Sequence, residues 1–250
     1  MITDPVFYLA AVPAVLIFGI AKGGFGGGLG VAAVPLMALV VSPVQAAGIL
    51  LPLLCLMDLF GLWAYRSHLN PRLQLYLLPA AVLGIVIGAL LFEYMSADTI
   101  RLILGTIAIS FTLNHWLGFS RWLSHQLQRA GNGAAVMAGS VAGFTSFVAH
   151  AGGPPLNIYL LTRDLDRTHF VGTTVLFFAV VNYTKLIPYA WLGQLSATNL
   201  ATALVLAPLA PLGIYAGVWL HRRISDRLFF RVAYIALFLV GLKLVWDGLQ

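Results

Sequence analysis

The chain has 250 residues, 60% of them hydrophobic and 9% charged, with a net charge of +6 and a mean hydropathy of +0.93. A soluble domain carries roughly 25% charged residues, so this composition excludes a water-soluble globular class and points to an integral membrane protein. The basic excess lies mostly in short loops, which argues for membrane topology over nucleic-acid binding, and the single Cys55 excludes an internal disulfide and a cysteine-based metal site.

Apolar segments fall at residues 5–21, 31–41, 44–65, 73–94, 98–117, 133–149, 156–162, 169–190, 197–220 and 228–248. No positive n-region precedes the first, so it reads as structure and not as a cleaved signal peptide. A spanning helix needs about 20 residues. Segments 44–65, 73–94, 98–117, 169–190, 197–220 and 228–248 qualify. The remaining pieces read as half-helices on either side of two breaks. The first break is Lys22-Gly23-Gly24-Phe25-Gly26-Gly27-Gly28-Leu29-Gly30; each glycine costs a helix about 1 kcal/mol relative to Ala. The second is His150-Ala151-Gly152-Gly153-Pro154-Pro155, where proline removes a donor and clashes with the preceding turn. In hydrocarbon, non-helical backbone is tolerated only where protein buries it or it lines a polar cavity. Breaks at corresponding places in two halves mark a binding site.

The halves do correspond. Pro79, Leu83, Gly84, Ile85 and Gly88 fall at one offset on Pro208, Leu212, Gly213, Ile214 and Gly217, Ser96-Ala97-Asp98 matches Ser225-Asp226, and Gly27-Gly28 falls on Gly152-Gly153 at nearly the same offset. The chain therefore reads as one all-α polytopic membrane domain, 1–250, made of two homologous repeats, about 1–118 and 130–250. Each repeat is a broken helix or re-entrant hairpin followed by three transmembrane helices. If both broken elements leave by the side they entered, every loop arginine except Arg101 lies on one side, and the second copy is inverted relative to the first. Eight crossings with parallel repeats, or one hairpin and one crossing, are the alternatives.

The chemistry points to an anion. A helix N-terminus offers unpaired N–H groups and partial positive charge. The half-helix starts near Val31 and Leu156 would aim them at the breaks. Pro154 suits a first turn, and Gly26, Gly27, Gly28, Gly152 and Gly153 let an oxyanion approach the backbone. Close helix packing is the other reading of these glycines. Lys22, at the first break, is an intramembrane cation and a functional candidate. So is Lys185, while Asp58 stands near its repeat-equivalent position, either as its ion-pair partner or as a proton-coupling acid. His150, with a side chain that titrates near neutrality, is a ligand or coupling candidate. Asn157, Tyr159, Thr173, Thr174, Asn182 and Tyr183 are further hydrogen-bonding groups, and Trp63, Trp116, Trp122, Trp191 and Trp219 sit near segment ends as interface anchors. Ser146 lies four residues before His150 without a third partner for hydrolase chemistry, so no enzyme activity is expected.

Gly26-Gly27-Gly28-Leu29-Gly30-Val31-Ala32-Ala33-Val34-Pro35-Leu36 resembles the first motif of the sulfite exporter TauE/SafE family. Gly143-Phe144-Thr145-Ser146 with Gly152-Gly153-Pro154-Pro155-Leu156-Asn157-Ile158-Tyr159-Leu160-Leu161 resembles the second. The resemblance covers the whole chain, including its duplication. It implies a multi-pass carrier of the bacterial inner membrane for small anions, often sulfite, sulfonates or related carboxylates, working by alternating access; an anion channel is the alternative within transport. The expected partners are a small anion, a coupled proton or other ion and the lipid bilayer. No cofactor, metal or nucleic acid is expected. The identity of the anion and the oligomeric state are left open.

Overall fold

The computed structural model describes all residues except 26–27, 93, 120–122, 125–130 and 224–226, and no side chain of 28–29 or 221–233. Gly26, Gly27, Trp122, Arg121 and Arg129 thus lie outside the described residues. The described chain is helical, with α1 (Pro5–Gly24), α2 (Ala33–Met37), α3 (Pro43–Tyr65), α4 (Gln74–Phe92), α5 (Ala97–Leu117), α6 (Gly131–Ala149), α7 (Gly153–Leu160), α8 (Arg167–Trp191), α9 (Ala197–Leu206), α10 (Leu209–Arg223) and α11 (Arg227–Gly248). Short 3-10 turns at Gly28–Ala32 and Pro71–Leu73 precede α2 and α4.

Local chemistry sets the helix starts. Asp4, Ser42, Ser96, Asp166 and Ser196 each accept a backbone N–H of the first turn, and Pro5 and Pro43 open α1 and α3 where no donor is needed. At Asp166 the His169 N–H, followed by the His169 ring, holds the carboxyl below the usual carboxylate range. That cap therefore stabilises α8 at neutral pH and is lost as acidification protonates it.

Six described helices are long and apolar enough to cross a membrane: α1, α3, α4 with its leading turn, α5, α6 and α8. Residues 197–220, expected as one span, are bent by 46° between α9 and α10. Pro208 stands at that bend, whereas its repeat counterpart Pro79 sits inside an unbroken α4.

Two expectations about the broken elements are corrected. The arms before the breaks are not half-helices: α1 has 20 residues and α6 has 19, each of spanning length. Only the return arms are short. Val31 lies in the 3-10 turn, and the first return arm is α-helical only over the five residues of α2 instead of 31–41; the second begins at Gly153 rather than near Leu156. The reason is visible at Gly23 and Gly24, which stay helical. A Cβ on either would collide with the backbone carbonyl of Ile214 or Gly217 in α10. These two glycines are held in the helix by close packing, which outweighs their weak propensity.

The same device operates elsewhere. Gly19 faces Gly213 across the α1–α10 contact, while Gly84 and Gly143 bring α4 against α6 through Ser140 and Ala81. The other main pairings are α3 with α8 and α5 with α11. α3 and α8 run antiparallel, as the pairs Gly48 with Gln194, Cys55 with Tyr183 and Gly61 with Val175 require. α5 and α11 are antiparallel as well, since Gly248 meets Asp98, Gly105 meets Gly241 and His115 stacks on Tyr234. Residues 38–42, Arg101, Asp247 and Gln250 consequently line one surface pocket at the same end of the molecule. Trp63, Trp116, Trp191 and Trp219 are exposed, in keeping with an anchoring role.

Gly84→Ala places a Cβ against the Ser140 carbonyl, whereas at Gly133 an added Cβ meets nothing within 4 Å. Thermal unfolding in detergent is expected to show Gly84→Ala destabilised by about 2 kcal/mol or more and Gly133→Ala at or above wild type. Equal stabilities would contradict the close α4–α6 contact.

Candidate functional site

Lys22, Asp58, Ser146, His150, Asn182 and Lys185, all buried, gather where α1, α3, α6 and α8 meet. Lys22 on α1 is 2% exposed, Asp58 on α3 and Lys185 on α8 are fully buried, and His150 is 4% exposed. The Lys22 ammonium lies 2.6 Å from Asp58 Oδ1 and 3.4 Å from the Leu54 carbonyl. Asp58 Oδ2 accepts from Asn182 Nδ2 at 2.8 Å. Asp58 is thus paired with Lys22 and not with Lys185, the partner its repeat position suggested. α1 is long enough to carry Lys22 down to the level of Asp58, and the Tyr65 hydroxyl ties that end of α1 by donating to the Gly23 carbonyl at 2.6 Å.

Lys185 has other partners. Its ammonium donates to Ser146 O at 3.0 Å, to Ser146 Oγ at 3.0 Å and to His150 Nδ1 at 2.8 Å. The three donors of the ammonium are therefore committed to neutral acceptors. His150 Nε2 lies 3.0 Å from the Ala47 carbonyl. With Nδ1 accepting from Lys185, the ring proton belongs on Nε2, where Ala47 accepts it.

His150 stands just beyond the end of α6 with φ of 50°, the one positive φ at a described non-glycine residue. Such a conformation strains a residue with a Cβ and persists where the surroundings over-determine it. Here the backbone turn is closed by His150 N donating to Ser146 O and Ala151 N to Thr145 O, both at 3.1 Å. The ring is held by Lys185, Ala47 and stacking on Tyr189 at 5.9 Å. Tyr189 in turn donates to the Phe147 carbonyl at 2.7 Å.

Between these groups is a cavity of about 10 Å³ lined by Phe18, Lys22, Leu54, Ser146, His150, Gly153, Phe178 and Asn182. That is room for about one water. Leu54 and Phe178 lie halfway along α3 and α8, so the cavity sits at mid-depth. Gly153, the first residue of α7, lines it. Pro154 and Pro155 carry no N–H, so the donors this terminus has to offer come from Gly152 and Gly153. A Cβ on Gly152 would strike the Ala142 carbonyl at 2.6 Å and Ser146 Cβ at 2.9 Å. The first break reaches the second, because the Gly28–Ala32 turn packs on α7.

The structure therefore brings Lys22, His150, Gly153 and Asn182 to one cavity, with Asp58 directly behind Lys22 and Lys185 directly behind Ser146 and His150. Pro154 faces away, toward a groove with Ile107, Phe111 and Thr145. Asn157 does not line the cavity, and its Oδ1 is buried without a hydrogen bond. Thr173 and Thr174 bond carbonyls of their own helix, and Tyr183 reaches Cys55 O at 3.4 Å. Nothing in the sequence marks the walls Phe18, Leu54 and Phe178, since apolar residues surround every segment alike; Ser146 stands out there beside His150 and within the second motif, without a binding role.

The family model described as sulfite exporter TauE/SafE matches residues 11–244. No curated protein and no solved structure matches the chain.

Lys22→Met strands the Asp58 carboxylate in the interior and is expected to destabilise the protein by about 3–5 kcal/mol. The double variant Lys22→Met with Asp58→Asn should recover most of that loss. Thermal unfolding of the three proteins checks it, and an undiminished single variant would show that the pair is not desolvated.

Proposed function

The chain belongs to the sulfite exporter TauE/SafE family, and we propose that it is a secondary transporter of small anions, sulfur oxyanions or organosulfonates, which binds its substrate at the cavity between the two breaks and works by alternating access. The family is one of membrane transporters of sulfite and related anions and not of enzymes, and the six spanning helices make this chain a multi-pass membrane protein.

The observation that carries the reading is Lys185. Lys22 and Asp58 cancel one another, but no carboxylate lies within ion-pair distance of Lys185 among the described residues; its partners are Ser146 and His150. An intramembrane cation satisfied only by neutral groups leaves an uncompensated positive charge whose field draws an anion to the cavity. Lys22, Ser146, Asn182 and the Gly152 and Gly153 N–H groups are the donors that meet the anion, with His150 lining the cavity and holding Lys185, which adds its charge from behind. The first-break glycines Gly26, Gly27 and Gly28 complete the site in this reading, and Asn157 supports the α7 arm. A cavity with room for about one water must widen for a sulfite-sized ligand, and Phe18, Leu54 and Phe178 are the walls that have to move. Coupling to a proton or another ion falls to Asp58 or His150.

We read residues 1–118 and 130–250 as inverted repeats within one domain. The antiparallel α3–α8 and α5–α11 pairs support this, as does the crosswise packing of α1 on α10 and α6 on α4. The arginine-rich loops are assigned to the cytoplasmic side of the bacterial inner membrane.

Labelled sulfite should exchange by counterflow in proteoliposomes, which a channel does not support. Gly153→Val should abolish it, and Lys185→Gln should weaken sulfite binding by the roughly 1.5–3 kcal/mol of a charged hydrogen bond. Counterflow equal to wild type in both variants at matched abundance would move the site elsewhere. In a Cys55→Ala background, a cysteine at Ser42 should be labelled from outside intact cells and cysteines at Asn132 or Leu165 only from inside. Leu165 behaving like Ser42 would defeat the inverted arrangement.

A further inference from the structure

We propose that Asp58 is an internal substitute for the transported anion, holding Lys22 until substrate displaces it and taking up a proton when it is displaced. The inference rests on the anion-transport reading above and goes beyond it by choosing the coupling group and the step at which coupling occurs.

Three observations lead there. Lys22 lines the cavity while Asp58 does not, so an anion in the cavity meets the ammonium and not the carboxylate. Both side chains are removed from solvent, and the contact is short, 2.6 Å. An anion that draws Lys22 toward itself therefore leaves Asp58 with the Asn182 amide at 2.8 Å as its remaining polar partner. The other groups facing Asp58 offer no replacement. Lys185 on α8 has its three donors committed to Ser146 and His150, Tyr183 on α8 donates to the Cys55 carbonyl, and Cys55 is the titratable neighbour on α3 itself. On α10, the ring of Tyr215 packs on that of Phe60. A carboxylate so stranded neutralises by binding a proton.

His150 is not the coupling group, because both ring nitrogens are engaged, Nδ1 by Lys185 and Nε2 by Ala47. The charge count closes. Lys22 with ionised Asp58 is neutral, and so is Lys22 with a singly charged anion such as hydrogensulfite beside protonated Asp58. The pair is thus equally neutral in the loaded and unloaded forms that cross the bilayer.

Calorimetric titration of the purified full chain with sulfite, in buffers of different ionisation enthalpy, counts the protons taken up. Sulfite's own titration is common to all variants and cancels between them. Wild type is expected to take up about one proton more per bound sulfite than Asp58→Asn, and its affinity should fall roughly tenfold per pH unit relative to that variant. An infrared difference spectrum of wild type alone should gain a protonated-carboxyl band on adding sulfite, which requires no variant to fold. Sulfite binding with equal proton counts, or without that band, overturns the role of Asp58 and leaves anion transport standing. No sulfite binding by wild type overturns the transport reading and this inference with it.

Discussion

The arrangement depends on placing two lysines in an apolar interior where water cannot serve them. Removing an ammonium from water costs several kcal/mol, so protein groups must return what hydration supplied. Lys22 is answered by a carboxylate and Lys185 by a carbonyl, a hydroxyl and an imidazole. Those demands fix the relative positions of α1, α3, α6 and α8. They also explain why His150 tolerates a backbone conformation that a side chain disfavours, since the ring is clamped between Lys185 and Ala47. The result is an interior in which Lys22 is matched by the Asp58 carboxylate and Lys185 by neutral groups.

Glycine packing brings these groups to the same depth. α1 lies on α10 through Gly19, Gly23, Gly213 and Gly217, and α6 lies on α4 through Gly139, Gly143, Gly84 and Gly88. Each arm before a break is thereby gripped by the third element of the other half. In hydrocarbon, where lipid is as apolar as leucine, such close backbone approach supplies the dispersion contact that joins helices. The short return arms have fewer such contacts, and α7 brings Gly153 at its start to the cavity.

Much of this was readable from the residues. The membrane class, the long apolar helices α3, α4, α5 and α8 apart from their exact ends, and the two breaks follow from composition and spacing, whereas α1 and α6 read as half-helices and prove long enough to span. Lys22 and His150 were conspicuous because charge or imidazole beside a glycine break is rare. What escaped was pairing. Asp58 and Lys185 occupy near-equivalent repeat positions, which suggested a bond between them, but α1 runs three residues past its expected end and places Lys22 against Asp58 first. The length of α1 depended on α10 holding Gly23 and Gly24, a contact between residues nearly 200 positions apart that no local propensity reports. The bend at Pro208 was hidden for the same reason: Pro79, in the matching sequence, sits within a straight helix.

The central claim is that the anion lies at mid-depth between the breaks, and its most direct test is to see one there. Selenite has the shape and charge of sulfite and a heavy atom that scatters anomalously. A structure of the protein with selenite is predicted to show the selenium peak within hydrogen-bonding reach of Lys22 Nζ, between Ser146, Asn182 and the Gly153 N–H, with Phe18 or Phe178 displaced. A peak confined to the surface pocket of Ser42, Arg101 and Asp247, with the central cavity unchanged, would contradict the account.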